Sequence, residues 1–120
     1  MNNDDQKLIE AIVAGMQEQK AQNIAIVDMT KLDAPCSYFV ICEGNSSRQV
    51  ESIADTMSDY VRKSIKQKPF AYDGYDNAEW IAIDYGSVIV HIFRHETRQF
   101  YDIEHLWDDA DIEYVPNQDY

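Results

Sequence analysis

The sequence predicts an α/β fold: a mixed β-sheet of about five strands with a C-terminal hairpin, flanked by helices. Three features predict it. Segments with apolar residues at helical spacing alternate with short, continuous apolar runs of strand length. Two of those runs are separated by a tight turn containing glycine, which marks a hairpin. A hydrophobic content of 45% over 120 residues gives one domain a real core without disulfides or metals.

From Lys7 to Lys20, the residues Leu8, Ile9, Ile12, Val13 and Met16 share one face, which is a helical spacing. Asp4 and Asp5 precede it, where acids suit the positive end of the helix dipole, and Gly15 weakens the helix without cancelling it. Ile24-Ala25-Ile26-Val27 reads as a buried strand ending at Asp28, followed by a loop at Asp33-Ala34-Pro35. Tyr38-Phe39-Val40-Ile41-Cys42 is a second buried strand, broken by Glu43-Gly44-Asn45. Ser46 and Gln49 have the spacing of a capping box, and Val50, Ile53, Ala54, Met57, Val61 and Ile65 form the apolar stripe of the helix behind it. That helix stops before Pro69, and Phe70 to Tyr72 form a short strand. Trp80-Ile81-Ala82-Ile83 and Val88-Ile89-Val90-His91-Ile92-Phe93 are the hairpin strands, joined through Gly86. Ile103, Leu106 and Trp107 suggest a short final helix from near Asp102. Residues 1–115 are expected to form a single domain, with 116–120 a frayed tail after Pro116.

Ten basic against 22 acidic side chains leave a net charge of −12. This balance argues against wrapping naked nucleic acid, which needs Lys and Arg on phosphate, and suits a basic protein surface. The one basic concentration is Arg62, Lys63, Lys66 and Lys68. From Asp102 onward there are seven acids and no Lys or Arg, either a solvated tail or one side of a charged interface. No run approaches the ~18 apolar residues of a membrane span, and the polar, acidic start lacks the features of a signal peptide. The expected location is the cytoplasm. Cys36 and Cys42 are too few for a disulfide framework and wrongly spaced for a redox or zinc pair.

Three catalytic arrangements are conceivable. Gly44-Asn45-Ser46-Ser47, a strand end opening a helix, could hold a phosphate on free amides. Nucleotidyl transfer also needs carboxylates converging on a metal, and only single strand-end acids, Asp28 and Asp84, are available; a capping turn is the plainer explanation. His91, His95 and His105 could bind a metal only if the chain bends after Phe93, and no fourth ligand is convincingly spaced. A Cys42–His91 nucleophile is disfavoured because Cys42 sits in a buried apolar run. No catalytic residue, metal site or cofactor is therefore assigned.

The hairpin is more informative. Trp80, Ala82 and Asp84 share one strand face. A two-residue loop at Tyr85-Gly86 aligns them with Ile89, His91 and Phe93; a three-residue loop aligns them with Val88, Val90 and Ile92. Trp80 is either an interface anchor or a core residue packed under a helix. Downstream, Arg98, Phe100, Tyr101 and Trp107 repeat the mixture of aromatic and charged groups.

Tyr38-Phe39-Val40-Ile41, Gly44-Asn45-Ser46-Ser47-Arg48-Gln49-Val50 and Ile53-Ala54-Asp55 resemble the Iojap family of ribosomal silencing factors. So do Glu79-Trp80-Ile81, Asp84-Tyr85-Gly86, Val88, Val90-His91-Ile92-Phe93, Arg98, Phe100-Tyr101, Glu104, Leu106-Trp107 and Asp109-Ala110. The resemblance covers about residues 7–110, and its specificity lies in the ordered set. Ser37 and Ser87 depart from it, standing where the family commonly has acids. The resemblance implies a nucleotidyltransferase-like fold without the catalytic acids. It also implies a non-enzymatic repressor that binds the large ribosomal subunit through ribosomal protein universal L-fourteen, blocks joining of the small subunit and lowers translation under nutrient limitation. A homodimer when free is implied too, without membrane or sequence-specific nucleic-acid binding. The alternative is a small nucleotide-binding or nucleotidyltransferase-like enzyme; a ribosome-assembly factor would differ mainly in timing. The expected partner-binding residues are Trp80, Asp84, His91, Arg98 and Tyr101.

Overall fold

Helix α1 (Asn3–Glu18) is capped by Asn2, whose side chain accepts from the Asp5 amide, so it begins one turn earlier than its apolar stripe suggests. In the computed structural model, which describes residues 2–118, α1 is followed by β1 (Gln22–Asp28), β2 (Tyr38–Gly44) and α2 (Ser47–Ile65). Then come β3 (Ala71–Asp73), β4 (Trp80–Asp84), β5 (Val88–Arg94), α3 (His95–Tyr101), a 3-10 turn (Ile103–His105) and β6 (Asp111–Tyr114).

The α/β fold is as expected, with six strands in the order β3-β4-β5-β2-β1-β6. β2 and β5 are parallel and every other pair is antiparallel, so the sheet is mixed. Parallel pairing is possible here because α2, β3 and β4 supply the long crossover that it requires.

The two sheet faces are treated differently. Tyr38, Val40, Cys42, Ile81, Ile83, Val88, Val90 and Ile92 point toward α1 and α2, which meet them with Leu8, Ile12, Val50, Ile53, Met57 and Val61. Gly15 permits this closeness: a Cβ there would lie 2.8 Å from the Met57 Cα, nearer than side chains tolerate. The expected helix-weakening glycine is thus the contact point between helices. The opposite face carries Ala25, Val27, Phe39, Ile41 and Phe93, covered over β1 and β2 by Met29, Leu32, Cys36, Ile103 and Trp107. Over β4 and β3 this face is left open among the described residues, apart from the end of α3, where Tyr101 meets Trp80.

Two expectations at the C-terminal end are corrected. The short final helix from Asp102 is a single 3-10 turn, and the helix lies upstream as α3. The acidic segment that follows is partly an edge strand, β6, in which Ile112 pairs with Val27 and the charges of Asp111 and Glu113 fall on the opposite side. The chain beyond it carries on alongside β1: Val115 N–H donates to Ile24 O at 2.9 Å, and Asn117 accepts from the Asn23 amide at 2.8 Å. Of the expected tail, residues 119 and 120 lie outside those described. Among the described residues, no helix is long and apolar enough to cross a membrane.

Candidate functional site

The hairpin register decides which side chains share the uncovered face. Trp80 pairs with Phe93, Ala82 with His91 and Asp84 with Ile89. This is the first of the two alignments open to the sequence, reached through a loop one residue later than expected. The Tyr85 amide donates to Val88 O at 2.9 Å, leaving Gly86 and Ser87 as the two loop residues. Gly86 has φ +93°, as the first position of a type II′ turn requires, and Asp84 steadies it by accepting from the Gly86 amide at 2.7 Å.

On this face the Trp80 indole N–H donates to His91 Nδ1 at 3.0 Å. The bond fixes the neutral imidazole with its proton on Nε2, an atom that is buried and finds no partner. Burial holds the His91 pKa down at about 4. Phe39 meets the imidazole edge-on at 4.6 Å, while Trp80 stacks on Phe93 at 4.9 Å and touches Tyr101 at 4.9 Å. Trp80 is therefore half-buried, its position set on three sides and its remaining surface open to solvent. Beside it a shallow depression of about 300 Å³ is lined by Ala71, Tyr72, Asp73, Ala82, Asp84, Ile89 and His91. Phe100 is 80% exposed and Tyr101 53%, and the two rings meet edge-on, so an apolar strip extends past Trp80. Exposed acids at Asp73, Asp102, Asp108 and Asp109 lie on the segments around it.

Four of the five expected contact residues, Trp80, Asp84, His91 and Tyr101, gather here, with His91 as floor rather than rim. Arg98 is placed otherwise: it is 7% exposed and turned inward. Its guanidinium donates from Nε and Nη2 to both oxygens of Glu104 (2.8 and 3.2 Å), and from Nη1 to Glu43 (3.1 Å) and Asn23 O (2.6 Å). Tyr114 also donates to Glu104, at 3.1 Å, and His95 bonds Glu43. Arg98 thus pins α3 to β1, β2 and the 3-10 turn, and β6 joins them through Tyr114 on Glu104. It positions Phe100 and Tyr101 without facing outward. From sequence Glu104 enters only through the family resemblance and Glu43 only as the end of a strand, although an acid ending a buried strand is a signal for an interior partner. Phe100 and Leu106, which the sequence does not assign to a contact surface, are exposed.

The catalytic alternatives meet a different geometry. The Gly44–Ser47 turn fills its own cradle: Ser46 Oγ accepts from the Gln49 amide at 3.1 Å and Gln49 Oε1 accepts from the Asn45 amide at 2.7 Å. Gln49 Nε2 then donates to Gln19 O at 3.2 Å, tying the end of α1 to the start of α2. Asp28 and Asp84 lie on opposite faces and three strands apart, roughly 14 Å at the usual strand spacing. Asp28 is occupied with the Thr30 amide and hydroxyl. Cys42 and His91 also face opposite sides, and burial pushes the Cys42 thiol up, away from the reactive thiolate. His105 bonds Asp102, and among the described residues no three His, Cys, Asp or Glu side chains converge as around a metal ion.

Comparison with known proteins gives this geometry a context. A family model described as "Ribosomal silencing factor during starvation" matches residues 2–119. A ribosomal silencing factor of Bacillus subtilis is similar at 34% identity over 115 residues, covering 92% of this chain and 96% of that protein. The chloroplastic protein Iojap of Zea mays is similar at 29% identity, over 83% of this chain and 43% of the maize protein. A solved crystal structure from Bacillus halodurans superimposes with a TM-score of 0.75 at 31% identity, covering 92% of this chain and 98% of that one.

Proposed function

The chain belongs to the ribosomal silencing factor family, and from that membership we propose that it represses translation by occlusion. It binds the large ribosomal subunit through ribosomal protein universal L-fourteen, at the side that meets the small subunit, and prevents joining when nutrients are scarce. The role is regulatory and carried out in the cytoplasm. A body of 35 × 33 × 30 Å inserted between two subunits is enough to hold them apart without chemistry.

The observation that carries this reading is the uncovered hairpin face. A half-buried Trp locked by His91, Phe93 and Tyr101 is a pre-ordered anchor, because its rotamer entropy is lost before binding. Depletion of charge at its centre and acids at its rim suit a basic protein patch better than phosphate. About 800 Å² per partner makes a standard interface, within reach of one sheet face plus the neighbouring α3. Trp80, Tyr101 and Asp84 are the proposed contacts, with His91 and Arg98 holding them in place. When the protein is free, the same apolar strip is the natural surface for a second copy.

The test is binding of the purified chain to purified large subunits by cosedimentation, and to the isolated universal L-fourteen protein by interferometry. Both bind on this reading. Binding to protein-free ribosomal RNA in preference to the isolated protein would overturn it.

A further inference from the structure

On the helix side of the sheet edge, away from the uncovered face, β3 and α2 leave a groove of about 430 Å³ between them. Its lining is Asp55, Ser58, Pro69, Tyr72, Tyr75 and Ile83. Tyr72 pairs with Ile83 in the ladder, so its ring stands on the helix side, while its neighbours Ala71 and Asp73 face the other way. Tyr72 is 68% exposed and meets Tyr75 edge-on at 5.5 Å. The two rings form an aromatic corner opening toward α2.

The wall opposite is acidic. Asp55 lies in the groove and Glu51 one turn before it on α2, a spacing that sets two carboxylates side by side. Both act on the Tyr75 hydroxyl, which burial and then the Asp55 charge hold above the ordinary tyrosine range. Among the described residues, no ion pair involves Glu51 or Asp55, although the same helix neutralises Asp59 with Arg62 and Lys63. The Tyr75 hydroxyl donates a hydrogen bond to Asp55, but like charges at this spacing are mildly destabilising and no cation balances the pair.

We propose that this groove is a docking site for a basic side chain, arginine by preference, carried on a protein segment. A guanidinium lies flat on the Tyr72 face, where the ring quadrupole attracts it, and its N–H fork reaches Asp55. Pro69 and Ile83 cover the aliphatic stem. Phosphate is excluded by the carboxylates, which rules out RNA. A free amino acid is excluded because the lining offers no cation for an α-carboxylate. The site lies on the other side of β3 from the hairpin face, with Tyr72 bordering both, and the proposal does not depend on what that face binds.

The probe is the capped tripeptide Gly-Arg-Gly, followed by amide chemical shifts of the full chain, with Gly-citrulline-Gly as the uncharged isostere. The expected result is saturable shifts at Asp55, Ser58, Tyr72 and Tyr75 with the arginine peptide. Citrulline, Asp55→Asn and Tyr72→Ala should each weaken binding by roughly fivefold or more. Both substitutions are at solvent-accessible positions outside the main core. Equal shifts with citrulline, no saturation, or shifts clustering elsewhere on the acidic surface would overturn the proposal.

Discussion

Trp80 and His91, eleven residues apart, are joined across the hairpin by an indole N–H to Nδ1 hydrogen bond of 3.0 Å. Ala82 is the residue directly opposite His91, so the bond is diagonal, within reach of a large aromatic. It makes His91 an acceptor, and an acceptor must stay unprotonated at Nδ1.

Stability should therefore depend on pH through His91. Its folded pKa is about 4 against an ordinary histidine value of 6.5, so between those values the unfolded chain binds a proton that the folded chain refuses. The contribution is fully present above 6.5 and is lost as pH falls toward 4, at about 1.4 kcal/mol per pH unit. His91→Gln keeps an acceptor but does not titrate. Chemical denaturation from pH 6.5 to 4.5 should show a shallower decline for His91→Gln than for the parent chain. Parallel declines would contradict the assignment.

Arg98→Ala should destabilise strongly. It strands Glu43 and Glu104, both 7% exposed, without their shared cation, a loss of about 3–5 kcal/mol by analogy with broken buried pairs. Urea unfolding measures it. Because Arg98 anchors α3, the variant should also lose the contact between Tyr101 and Trp80, visible in tryptophan fluorescence.

Gly15→Ala sets two magnitudes against each other. Helix propensity favours alanine by about 1 kcal/mol, whereas overpacking costs about 1–3 kcal/mol. The new Cβ would meet Met57 Cα at 2.8 Å and Tyr60 Cβ at 3.1 Å, and backbone cannot swing aside, so the variant should melt at lower temperature.

Charge should act mainly on the association rate. For the isolated universal L-fourteen protein, association should slow as salt rises, since only attraction between its basic patch and the acidic rim remains. For the intact subunit, repulsion between rRNA and a chain of charge −12 opposes that attraction, so the slope should be shallower or reversed. Stopped-flow measurements at low and physiological salt separate the two.

The helices, central strands and hairpin were legible because each is long and periodic: the stripe from Val50 to Ile65 and the apolar runs in β2 and β5 leave little choice. α3 was not, since His95–Tyr101 has no apolar stripe and exists by virtue of Arg98 binding three other elements. β6 was masked by its charges; only Ile112 is partly buried along its four residues. At the site, the grouping of Trp80, Asp84 and His91 depended on a register that Gly86 and Ser87 decide by one residue. Arg98 misled because an arginine among aromatics is equally common on interfaces and in buried ion pairs. Only its distant partners, Glu43 and Glu104, distinguish the two.

Occlusion through the hairpin face is read out by subunit joining, followed by light scattering. Large subunits preloaded with the chain should fail to join small subunits, while Tyr101→Ala, a change at a half-exposed position that leaves the core intact, should bind more weakly and restore joining. Joined ribosomes that form at the normal rate with the parent chain still bound would contradict the account.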